Sequence, residues 1–65
     1  MSMSSFEKLT WDRRINQLKE LLSKTKELTE QIRNDADEHI QAKLDPMRYQ
    51  LQEMQSTVEE LRVMA

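Results

Sequence analysis

An all-α chain, a coiled coil or small helical bundle held together by association with other helices, is what this sequence predicts. Three observations carry that prediction. Apolar residues recur in steps of three and four from Trp11 to Ala65. The composition has no glycine, one proline and 34% charged residues, with Gln, Glu, Lys, Leu, Arg and Met plentiful, and these residues lose little rotamer freedom in a helix. The third is size: 65 residues bury only ~60% of the surface that the unfolded chain exposes, so a solitary core is marginal.

A scaffold this small ordinarily needs disulfides, a metal or oligomerisation. Cysteine is absent, and the lone His39 cannot build a zinc site by itself. Association with itself as a homo-oligomer, or with another helical protein, is the route that remains. No cofactor or metal is expected.

The first element starts near Ser5. Met1 to Ser5 is short and polar, so residues 1–4 are expected to fray and residues 5–65 to form one α-helical oligomerisation unit. Ser4 followed by Glu7 fits a capping box, which places the helix start directly after Ser4.

From there the seam reads Trp11, Ile15, Leu18, Leu22, Thr25, Thr29, Ile32, Ala36, Ile40, Leu44, Met47, Leu51, Met54, Val58, Leu61 and Ala65. Fourteen of these sixteen positions are apolar, Thr25 and Thr29 being the exceptions. A stripe with this spacing marks a helix burying one face against another. It resembles coiled-coil proteins in general, a pattern shared too widely to identify one family. Leu21 and Leu28 lie beside the seam and widen its N-terminal half, so that half is expected in a bundle of three or more helices. The C-terminal half, from Leu44, keeps the narrow stripe of a two-stranded coil. The residues expected to carry an interface are therefore Trp11, Ile15, Leu18, Leu21, Leu22, Leu28, Ile32, Ile40, Leu44, Met47, Leu51, Met54, Val58 and Leu61.

Two places can interrupt the helix. Between Ile32 and Leu44 the seam steps by four three times, one residue more than a heptad allows. That stretch, Arg33-Asn34-Asp35-Ala36-Asp37-Glu38, is polar: Asn34 is expected to end one helix, and Asp35 with Glu38 to cap the next. The second place is Asp45-Pro46, since proline inside a helix costs ~3 kcal/mol but little at a first helical position behind an Asp cap. The seam nevertheless crosses Pro46 in phase. Three architectures follow: a hairpin turning at residues 34–37, with arms of about 28 residues and ~42 Å; a hairpin turning at Asp45-Pro46, ranked lower; and one long helix of ~90 Å, kinked at the proline.

Charge is uneven along the chain. Residues 1–33 carry seven basic side chains against five acidic, and residues 34–65 carry three against seven. The halves are thus of opposite sign, which favours antiparallel packing within a chain or between chains. No stretch approaches the ~20 apolar residues of a membrane span, and nothing resembles a signal-peptide core; without cysteine or an export signal, the cytoplasm or another intracellular compartment is the default expectation.

Chemistry finds little purchase. His39 stands four residues from Asp35, a spacing that can hold a metal on a helix, but a solvated or capping histidine is the favoured reading. The acidic groups Asp35/Asp37/Glu38 and Glu59/Glu60 lack the glycine that a calcium loop requires. Enzymatic activity is not expected. The basic residues Arg13, Arg14, Lys19, Lys24 and Lys26 raise nucleic-acid binding as the alternative function, by analogy of layout with small plasmid-type RNA-binding hairpins. Asp12, Glu20 and Glu27 are interleaved among them, and the pI is near 5.3, unlike a clearly basic nucleic-acid domain.

Phe6, Leu9 and Trp11 are read as a plug at the end of a bundle, and Met47, Met54 and Met64 as core filling. The seam continues to Ala65 without a stop signal, as it would in an oligomerisation segment cut from a longer coiled coil. The functional expectation is a protein–protein interaction element with a structural, scaffold or adaptor role.

Overall fold

The structure, a computed structural model, describes residues 3–64. Two helices, α1 (Ser5–Asn34) and α2 (Glu38–Met64), run antiparallel and pack against each other as a hairpin. Their 30 and 27 residues correspond to about 45 and 40 Å of helix, and the Cα envelope measures 50 × 16 × 11 Å. The turn at residues 34–37 is the one expected there. The single long helix and the hairpin at Asp45-Pro46 are both corrected by it.

Each helix end has an identifiable cause. Ser4 adopts an extended conformation and its side-chain oxygen accepts the Glu7 N–H at 3.2 Å, the N-cap that the Ser4/Glu7 spacing announces. At the other end, Asp35 stays near right-handed helical geometry at φ −93°, ψ −1°. That conformation cannot serve as an N-cap, so the expected cap at Asp35 is corrected to Asp37, whose carboxylate accepts the Ile40 N–H at 3.0 Å.

The turn also explains how a chain without glycine reverses direction. No described residue has a positive φ, so the left-handed helix terminus that recruits glycine is not used. The Ala36 N–H donates to the Arg33 carbonyl at 3.2 Å instead. The side-chain amide of Gln41 then reaches back and donates to the carbonyls of Arg33 at 3.1 Å and Ala36 at 3.0 Å. Carbonyls that a helix end leaves orphaned are thus satisfied by one residue of the following helix.

Pro46 lies inside α2. It cannot donate to the Ala42 carbonyl one turn back, but Ala42 and Pro46 are both exposed, so water can take the missing bond's place. Asp45, free of any capping duty, receives the Arg33 guanidinium at 3.1 Å and that of Arg48 at 3.6 Å.

The core between the helices is thin. Ile15, Leu51 and Val58 are its buried apolar residues, and Thr29 is buried with them. Trp11, Leu22, Leu44 and Leu61 are half-buried. The expected positions of Met1 and Ser2 in a frayed end, and of Ala65 on the seam, lie outside the described residues.

Candidate association face

The seam splits lengthwise into two rows. Ile15, Leu22 and Thr29 on α1, with Leu44, Leu51 and Val58 on α2, occupy every seventh residue and turn inward, buried or half-buried. The alternate row is left largely open: Leu18, Thr25 and Ile32 on α1, and Ile40, Met47 and Met54 on α2, are all exposed. Leu21 and Leu28, the two residues that widen the stripe, are exposed to 62% and 57%.

These open residues share one side of the hairpin. Leu18 of α1 and Gln50, Glu53, Met54, Thr57 and Leu61 of α2 line a single groove of about 610 Å³, together with Leu22 and Val58. Leu18, Leu21, Thr25, Leu28 and Ile32 follow one another in steps of three and four, so they form one continuous strip along α1. The exposed apolar row therefore runs the length of the hairpin.

The opposite side is different in kind. There Leu22 and Val58 are flanked by Lys19, Ser23, Gln55 and Glu59, and the helices are bridged by charge. Lys19 meets Glu59 at 3.1 Å, Arg33 meets Asp45, and Arg48 meets Glu30. Lys19–Glu59 and Arg33–Asp45 are two heptads apart on both helices, which shows a constant antiparallel register. These cross-helix pairs are the antiparallel packing that the opposite signs of the two halves favour. Each is partly solvated and worth only ~0–1 kcal/mol, so they select register more than they stabilise.

Toward the open end the helices are joined by the Trp11 indole N–H, which donates to the Leu61 carbonyl at 3.3 Å. Trp11 thus acts as a plug, whereas Phe6, 78% exposed, and Leu9, 60% exposed, do not; on α1 they fall on the side away from α2. The reading of Met47, Met54 and Met64 as core filling is likewise not met within the hairpin, where all three are exposed.

His39 is exposed, and no group of three or more His, Cys, Asp or Glu side chains among the described residues is placed to hold a metal ion. Of the basic residues on α1, Lys19 and Arg33 are engaged by acidic partners on α2, while Arg13, Arg14, Lys24 and Lys26 are exposed. No helix among the described residues is long and apolar enough to cross a membrane.

Residues that the apolar stripe does not point to, namely Arg33, Gln41, Asp45 and Arg48, hold the turn and the register. The signal that could have found them is charge at a constant offset: in Arg33–Asp45, Glu30–Arg48 and Lys19–Glu59 the α2 residue stands six positions further from Ala36 than its α1 partner. No family model, no curated protein and no solved structure matches this chain.

Proposed function

We propose that this hairpin is a protein–protein association element, structural or adaptor in role, that docks other helices on the open apolar face running from Leu18 to Ile32 on α1 and from Ile40 to Leu61 on α2. The observation that carries this reading is the division of one apolar stripe into two rows by two helices that cover only one of them. The chain exposes 5611 Å², where a compact protein of its 7.8 kDa exposes about 4,400 Å². The surplus, about 1,200 Å² of polar and apolar surface together, goes with the elongated two-helix shape and exceeds the ~800 Å² that one partner contributes to a standard interface. A contiguous exposed apolar row marks an interaction site on a water-exposed molecule, and a mainly apolar groove between two helices, lined by one charged residue, Glu53, fits a further helix or helix pair better than a polar ligand.

Chemical cross-linking of the tagged chain in its native cell tests this. Complexes of whatever composition are expected for the parent chain and lost in Leu28→Lys, which places a charge in the middle of the open strip. Complexes that persist unchanged in that variant would refute the role given to this face.

A further inference from the structure

We draw no further inference here: the strongest candidate, the open apolar row of Leu18, Leu28, Ile32, Met47 and Met54 along one side of the hairpin, carries nothing beyond the association role, because nothing in the structure shows what covers it.

Discussion

Thr29 is buried to 3% exposure, and its hydroxyl donates to the Thr25 carbonyl at 2.7 Å. That carbonyl also has its ordinary helical partner, so replacing the hydroxyl by a methyl group leaves no buried group unpaired. Thr29→Val, β-branched like the parent, is expected to be at least as stable and within about 1 kcal/mol of it, whereas Thr29→Ala should lose about 1–2 kcal/mol through the space it vacates. Urea unfolding followed by circular dichroism checks both; a Val variant less stable than the Ala variant would mean that the hydroxyl, and not the volume, is what the site needs. Gln41 is the contrasting case. Its amide serves two carbonyls at the turn, and Gln41→Leu should cost about 1–2 kcal/mol in the same measurement. An unchanged urea midpoint would show that water serves those carbonyls equally well.

At the scale of the element, α2 tolerates a proline well inside it because the bond it forfeits lies on the exposed side of the helix. The cost is still present. Alanine is about 3 kcal/mol better than proline in a helix interior, while proline recovers up to about 1 kcal/mol by restricting the unfolded chain. Pro46→Ala is therefore expected to raise stability by about 2 kcal/mol, with no change in the Asp45 contacts to Arg33 and Arg48. A decrease would show that Pro46 positions the open row, and the association of the variant, measured by sedimentation, would then weaken with it. The same element shows what the sequence makes legible. The phase of Leu44, Met47 and Leu51 runs unbroken through Pro46 and marks the helix as continuous there, while the extra residue between Ile32 and Leu44 marks the true turn. Which aspartate caps α2 was not legible, because Asp35 and Asp37 are equally able side chains. The choice follows from the backbone conformation that the turn imposes on each.

For the whole molecule, a core whose buried apolar residues are Ile15, Leu51 and Val58 gives the isolated hairpin little reserve, and association through the open face should supply much of its stability. Thermal unfolding is then expected to depend on chain concentration, the midpoint rising by several degrees over about a hundredfold range, as mass action requires when only the folded state associates. A midpoint independent of concentration would mean that the hairpin stands by itself. Leu51→Ala, in the buried row, and Leu28→Ala, in the open row, separate the two contributions. The first should cost about 2–5 kcal/mol at any concentration. The second should matter only where chains associate, since an exposed leucine in an isolated hairpin is worth within about 0.5 kcal/mol.

Composition, caps and the three-four spacing determined by themselves that this chain is helical, that its first helix begins after Ser4, that an apolar stripe runs its length and that the polar stretch after Ile32 is where it can fold. These are local properties, set by each residue's backbone preferences and by the period of its neighbours. The tertiary structure decided which part of the stripe the fold consumes. One partner helix covers one row of a stripe wide enough for two, so Ile15, Leu51 and Val58 are buried while Leu18, Leu28 and Met54, equally apolar and equally in phase, remain in the open. Periodicity specifies that a face must be covered; only the antiparallel packing, fixed by the turn and by the Lys19–Glu59 and Arg33–Asp45 pairs, specifies what is left uncovered.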